Sequence, residues 1–426
     1  MSNIDKKHTS ITGGWKSTLN KIRSSKRGRL AIGILIFYIF LAIFGDFIAN
    51  DKPFYAKRDG QHEFPILKNY FVQMGWAKFD GVVFREGWKN LKYEKVLWPP
   101  IPYLSTNLDL KNDQFVSPFG PQDVASWKQW HWMGTDQLGR DVAAGIITGA
   151  RSALLVGLIA MGIAAFIGIL LGAIAGFFGD DRLKFSAIGF FLRLSAISLG
   201  IFWAFNATSF FNLQSSNFFV KAIIGLLIIV TMFLLTNQLS NWLDNKYRLK
   251  RNFSLPVDLI VMRIIEIINS IPGLLLIVAL VAIVSEPTIY SVMIIIGCIA
   301  WTGIARFMRG ELIKVRNLPY IEATEAMGFG AFRILMKHAI PNALGPVAIA
   351  IAFGMAGAIL TEATLSFIGI GGAADQVTWG SLINEARKNI SAWWIAIIPG
   401  LMIFLVISCF NILGESFSGL LGQQMD

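Results

Sequence analysis

The chain has 426 residues, of which 54% are hydrophobic and only 15% charged, against about 25% charged in soluble domains. That deficit excludes an ordinary soluble enzyme and points the surplus apolar surface at a bilayer. Lys and Arg outnumber Asp and Glu by 38 to 27, a net charge of +11, which in a membrane chain marks cytoplasmic ends rather than nucleic-acid binding.

In chain order, residues 1–29 hold Lys6, Lys7, Lys16, Lys21, Arg23, Lys26, Arg27 and Arg29 against Asp5 alone. This cytoplasmic basic segment places the N-terminus inside. Trp15, Leu19 and Ile22 share one helical face, so the segment reads either as a short helix on the inner membrane surface or as a disordered basic tail. The first apolar run, 30–49, contains only Asp46; no A-x-A site follows it, and we read it as a retained membrane anchor. Residues 50–140 mix charge with Trp98, Pro99, Pro100, Pro102, Tyr103, Pro118 and Pro121, a composition that predicts an ordered extracytoplasmic insertion rather than a flexible linker.

A helix needs about 20 mostly apolar residues to cross the hydrocarbon. Runs free of Asp, Glu, Lys and Arg cover 152–179, 194–220, 222–243, 267–285, 287–305, 338–361 and 389–414. With 30–49 these predict about eight transmembrane helices, because unpaired backbone groups cannot stay in lipid and the runs lack the alternation of barrel strands. The second core helix falls in 141–182, the segment 183–255 forms a hairpin of two crossings, and 256–426 holds the remaining core helices. Arg193 is the difficulty in the hairpin: it must snorkel or face a partner, or its limb lies at the interface. Cys298 and Cys409 lie far apart in apolar runs without a CxxC, so neither a disulfide framework nor a metal site is expected.

The segment 311–342 is the longest inner loop. Glu322, Ala323, Glu325 and Ala326 favour helix, Gly328 and Gly330 interrupt it, and Phe332–Ala339 resume it before Pro341 opens the next membrane helix. Small residues on the first short helix admit a partner's backbone, and Met327, Phe329 and Phe332 supply apolar anchors at the turn. The shape is that of a docking element. Glu322 either meets a basic group on a partner or stabilises its own helix.

Glu322-Ala323-Thr324, Gly328 and Ile340-Pro341 resemble the Glu-Ala-Ala, Gly, Leu-Pro loop of ABC importer permease subunits. Gly134-Thr135-Asp136-Gln137-Leu138-Gly139-Arg140-Asp141 is similar to the GTDxxGRD segment of the dipeptide and oligopeptide branch, in its C-type subunit. Met262-Arg263, Ser270-Ile271-Pro272, the stretch from His338 to Asn342, Thr361 to Gly369, Trp379-Gly380 and Pro399-Gly400 agree with it. Ile48 to Pro53 and Phe64 to Tyr70 resemble the first external loop of the microcin C and oligopeptide subgroup. Thr324 departs from the triplet's third residue, and the 183–255 hairpin is foreign to the usual six-helix pattern.

The resemblance implies an all-α integral membrane protein with a type I ABC importer transmembrane domain: six core helices, an inserted hairpin, and an extracytoplasmic insertion after the first helix. It implies a multi-pass permease of the bacterial inner membrane for peptides or peptide-like substrates. Its expected partners are a homologous second permease, two ATPase subunits that act on ATP and Mg, an extracytoplasmic peptide-binding protein and membrane lipid. The coupling loop would comprise Glu322, Ala323, Thr324, Glu325, Gly328, Phe329, Phe332, Ile340 and Pro341.

For Gly134, Thr135, Asp136, Gly139, Arg140 and Asp141, structural framing at the outer membrane edge stands beside substrate contact; Asp136 and Arg140, four apart, would pair on a helix. Glu362, ionisable within an apolar helix, belongs either to the translocation path or to a helix-to-helix hydrogen bond. Pro272 would loosen a helix beside that path. The chain has no GxxxxGK[ST], so it binds no ATP by a P-loop, and no HExxH. His8, His62, His131 and His338 are dispersed, no catalytic constellation is seen, and the chain is expected to be no enzyme and to bind no cofactor or metal. The rival reading, an ion-gradient-driven secondary transporter, calls for paired ionisable residues near mid-membrane and two related halves.

Overall fold

Ser25 caps the first membrane helix, its hydroxyl accepting from the Gly28 N–H at 2.9 Å, and α1 (Lys26–Ile48) follows. The computed structural model describes residues 25–210, 218–247, 253–285, 287–370 and 377–422. The Trp15, Leu19 and Ile22 face and the basic residues Arg248, Lys250 and Arg251 lie outside the described residues.

Beyond α1 the chain forms a small sheet. β1 (Tyr55–Arg58) pairs antiparallel with β2 (Gln61–Glu63) and with β3 (Lys95–Leu97), and α2 (Pro65–Gln73) and α3 (Gly81–Glu86) lie between β2 and β3 in sequence. Val83, Trp88 and Leu91 make a local core with Phe79, Tyr93 and Trp98 against it. The segment is folded, as its aromatic and proline content predicts.

The next helix, α4 (Val142–Phe178), begins well ahead of the uncharged run at 152. Arg151 makes this possible: its Nε donates to the Ala42 carbonyl at 2.8 Å and its Nη2 lies 3.0 Å from Asp46. A charge that breaks an apolar run need not break a helix if a neighbouring helix pairs it.

Residues 174–265 form one compact unit and the rest of the chain another. In the smaller unit, β4 (Lys184–Phe185) leads to α5 (Ala187–Phe210), then α6 (Phe218–Lys246) and β5 (Phe253–Ser254), which pairs back with β4. The two helices pack closely, with Gly200 against the Ile229 backbone. Arg193 faces a partner: its Nε and Nη2 donate to Asn237 Oδ1 on α6 at 3.2 and 2.9 Å.

The apolar run 267–285, expected as one crossing, is broken in the structure. The structure has α7 (Val257–Asn269) and α8 (Gly273–Ile283), bent by 83° where they meet. Pro272 sits at the N-cap of α8, where its missing N–H costs nothing. The following helix, α9 (Ile289–Val315), is opened by a Thr288–Ser291 capping box and continues past the uncharged run's end at 305. Arg306, Arg309, Glu311 and Lys314 are good helix formers that prolong it beyond the hydrocarbon.

After α9 come α10 (Pro319–Ala326), α11 (Ala331–Ile334), a π turn at Leu335–Ala339 and α12 (Ile340–Ile368). The chain ends in α13 (Trp379–Ala386) and α14 (Trp393–Gly422). Among the described residues, five helices have the length and apolarity of a membrane span, or six with the bent α7–α8 pair counted as one, and α5 and α6 carry shorter apolar stretches at Gly189–Gly200 and Leu227–Leu243.

The main core joins α1, the start of α4, α12, α13 and α14 through Tyr38, Ala150, Ile359, Trp379, Trp394 and Val406. Without water to drive association, close backbone approach does the work. A Cβ on Gly149 would lie 2.3 Å from the Trp379 ring, and one on Gly172 would lie 2.4 Å from the Ala305 carbonyl. The outward residues are large and apolar, among them Ile43, Leu158, Phe166 and Phe404, as lipid contact requires.

Candidate functional site

Three groups of residues singled out in the sequence occupy three separate places. The first is an elbow between α9 and α12. Leu318 precedes Pro319, which takes the first turn of α10 without loss of a hydrogen bond. The helix ends at Met327, whose N–H donates to Ala323 O at 3.0 Å, and Gly328 follows with φ +81°. That left-handed conformation is a helix C-terminal turn that favours glycine. Phe329 N then donates to Thr324 O at 3.2 Å and closes the turn.

One side of the elbow is anchored: Ile321, Thr324, Ile334, Leu335 and Ala339 are buried. The other side carries Glu322, Ala323, Glu325, Met327, Phe329 and Phe332, all exposed. Phe332 is 72% exposed, and the Arg333 guanidinium lies 5.8 Å from the Phe329 ring centroid. Thr324 turns inward, its hydroxyl donating to Ile321 O at 2.7 Å, so the departure from the family triplet falls on the anchored side. Glu322 has an exposed carboxylate in the first turn of α10, where the helix dipole favours negative charge. It forms no salt bridge among the described residues. Asn342 Nδ2 donates to the Tyr320 hydroxyl at 2.9 Å and to His338 O at 2.7 Å, tying the start of α12 to α10. Ile340 and Pro341 stand at the beginning of α12.

The second place is the turn before α4. Asp136 and Arg140 do pair, but in a tight loop closed by a Thr135–Asp141 bridge rather than on a helix. Asp136 is fully buried and also accepts the Leu138 and Arg140 N–H groups at 2.8 and 2.9 Å. Thr135 donates to Asn112 O at 2.7 Å and its carbonyl accepts Trp394 Nε1 at 3.3 Å. Gly134 and Gly139 both have positive φ. Asp141 caps α4 by accepting the Ala144 N–H at 2.7 Å.

Here the sequence reading missed a partner. His131, fully buried, lies between Asp141 (Nδ1 to Oδ2, 2.8 Å) and Asp109 (Nε2 to Oδ2, 3.2 Å). Tyr103 stacks on its ring at 4.3 Å, and the Lys89 ammonium stands 3.6 Å from the Tyr103 ring centroid. Burial raises the Asp109 carboxyl, but hydrogen bonds from Asn112, His131 and the Lys111 N–H outweigh it and hold the group below the usual carboxylate range. Burial lowers the Lys89 ammonium. Asp109, His131, Asp136 and Asp141 all have hydrogen-bond partners within the chain, which ties the loop to the start of α4. The imidazole stands between the two carboxylates, and among the described residues no group of His, Cys, Asp or Glu has the arrangement of a metal site.

The third place concerns Glu362 and Pro272. Glu362 is buried and accepts the Ser366 hydroxyl at 2.7 Å, with the Thr378 side chain as a further hydrogen-bond partner. It sits at the joint between α12 and α13, where a Cβ on Gly380 would lie 2.3 Å from the Ala363 carbonyl. A separate apolar cavity of about 300 Å³ is lined by Met161, Ile304, Phe307, Ala350, Phe353 and Gly354. Neither Glu362 nor Pro272 lines it. Glu362→Gln, which keeps both hydrogen-bond partners, is expected to change thermal stability little, whereas Glu362→Ala should cost about 1–3 kcal/mol by removing the acceptor of the buried Ser366 hydroxyl. Loss of transport in a fully stable Glu362→Gln protein would instead assign the carboxyl to the path.

Residues 247–425 match the family described as the binding-protein-dependent transport system inner membrane component. Over 93% of both chains, the protein is 25% identical to the inner membrane ABC transporter permease protein YejE of Escherichia coli K12. It is 23% identical to the peptidoglycan transport system permease protein YejE of Agrobacterium fabrum, over 94% of this chain and 91% of that one. Similarity to the dipeptide transport system permease protein DppC of Bacillus subtilis is 26% identity over 69% of each chain.

Proposed function

We propose that this chain, whose residues 247–425 match the binding-protein-dependent transport system inner membrane component, is a permease subunit through which partner ATPases drive uptake of peptides or peptide-like solutes. One observation supports the coupling role: an elbow between α9 and α12 that is anchored on one side and exposes Met327, Phe329 and Phe332 on the other. Relatives named for peptide transport support the substrate class, and they lend nothing to an ion-gradient carrier.

In this reading the N-terminus is cytoplasmic. Helix parity, with the hairpin counted as two crossings and α7–α8 as one, then puts the elbow and the C-terminus on the same face as the N-terminus and residues 50–140 on the other. A second permease completes the path, a binding protein delivers the solute, and ATP with Mg acts in the ATPase subunits. The elbow shifts the equilibrium between inward- and outward-open states only by interacting differently with the two nucleotide states of the ATPases.

Phe332 separates docking from folding. Its ring is largely exposed, so Phe332→Asp should leave stability within about 0.5 kcal/mol. As an interface anchor, its loss should cost at least about 2 kcal/mol of binding. Co-purification of the ATPase subunits with the tagged variant is the measurement, and undiminished recovery together with undiminished uptake would overturn the coupling role.

A further inference from the structure

The short helix α2 shows an inverted distribution of polarity. Ile66 is fully buried on one side and Tyr70 half-buried beside it. The opposite face, at helical spacing, carries Phe64, Leu67, Phe71 and Met74, exposed by 53%, 47%, 50% and 59%, and Trp76 just beyond is 76% exposed. A face turned to water in a folded segment is ordinarily polar, and a contiguous apolar one marks an interaction surface.

The structure also fixes the depth of this face. The Tyr70 hydroxyl donates to Asp46 Oδ2 at 2.5 Å, and Asp46 lies in the last turn of α1, a helix long and apolar enough to span the membrane. Arg151 of α4 completes the contact. Helix α2 is therefore moored at the level where α1 leaves the hydrocarbon.

An aromatic file leads to the same place. Phe40 and Phe44, exposed on α1, lie 5.1 Å apart, Phe44 is 6.3 Å from Phe47, and Phe47 stacks on Phe54 at 5.7 Å. The next residue, Tyr55, lies 5.7 Å from Phe64 at the head of α2. One aromatic run thus leads from α1 to Phe54, and a second, from the adjacent Tyr55, reaches the head of α2.

We infer that α2 is an interfacial helix whose Phe64, Leu67, Phe71, Met74 and Trp76 enter the lipid surface at the C-terminal end of α1. A helix lying in the interface plane buries such a face about 5–10 Å into the headgroup and acyl boundary, and Trp near the headgroups suits its amphipathic ring. Asp46, Tyr70 and Arg151 form the mooring. The folded segment 50–140 is thereby held down at a second point beyond its covalent attachment to α1. The inference needs α1 to cross the membrane and is independent of what the protein transports.

The test uses the full chain with Cys298 and Cys409 replaced by Ser, carrying a spin label on a single cysteine introduced by Leu67→Cys, Phe71→Cys or Gln73→Cys. It is reconstituted in vesicles of phosphatidylethanolamine and phosphatidylglycerol. Leu67 and Phe71 lie on the apolar face, and Gln73 is exposed on the other side. The ratio of oxygen to water-soluble nickel-complex accessibility should be at least about threefold higher at 67 and 71 than at 73, as burial to that depth requires. Equal ratios at all three positions would place the face in water and overturn the inference. So would labels at 67 and 71 shielded from both reagents, which protein cover would produce. Met74→Cys on the same face replaces either variant that fails to fold.

Discussion

Gly328→Val is expected to abolish uptake while the protein remains in the membrane, and Gly328→Asn to separate the two reasons why glycine stands there. With φ at +81°, a side chain strains the backbone by about 1–2 kcal/mol, a factor of about 5–30 in any equilibrium that depends on the turn. Valine, branched at Cβ, suffers most, and asparagine tolerates the left-handed region. A Cβ at this position meets no atom within 4 Å in the chain, so local crowding contributes nothing. If only the turn matters, Gly328→Asn should retain uptake near the wild-type level. If the ATPase occupies the open space, Asn should fail as Val does, with ATPase activity no longer coupled to transport. Parallel assays of uptake and ATP hydrolysis in proteoliposomes decide, and full coupled activity of Gly328→Val would remove the elbow from the mechanism.

Gly139→Ala should be the more destructive change to the fold. A Cβ there would stand 2.1 Å from the Asp109 carbonyl oxygen and 2.8 Å from its carbonyl carbon, and φ is already +77°. The clash cannot relax by parting the two loop segments, because Asp109 N donates to Gly139 O at 3.2 Å and the Asp109 carboxylate holds His131. We expect a loss of about 3 kcal/mol or more, combining left-handed strain with backbone displacement. Thermal unfolding of the protein in nanodiscs measures it. Gly357→Ala provides the contrast: that glycine lies inside α12, a Cβ on it meets nothing within 4 Å, and helix propensity favours alanine. It should be neutral or slightly stabilising.

Much of this architecture was legible because hydrocarbon imposes a length on apolar runs and glycine marks left-handed turns. The elbow's outline, from Glu322 through Gly328 to Pro341, could be read from helix formers and breakers alone. Helix ends could not. Absence of charge measures the hydrocarbon crossing, whereas α9 continues to Val315 and α4 starts at Val142, where Arg151 finds its acceptor on α1. The break at Ser270–Pro272 was signalled by its proline, but a kink and an 83° bend look the same in a run of apolar letters. The Asp109–His131–Asp141 array left no local trace: its members come together only after the loop before α4 folds back on itself. That Thr324 faces inward was equally hidden, since the residue's size says nothing about which side of α10 it occupies.

The junction beneath the elbow carries a mechanical consequence. From Ala331 to Ile368 the chain is helical without interruption, with a π turn at Leu335–Ala339, where an extra residue widens one coil, and with Pro346 inside α12, which gives no N–H to the helical ladder. Helices bend most readily at prolines and π turns, so these two places are where this helix gives under load. A push at Ala331 is therefore expected to move the near end of the helix more than its far end, where Glu362 meets Ser366.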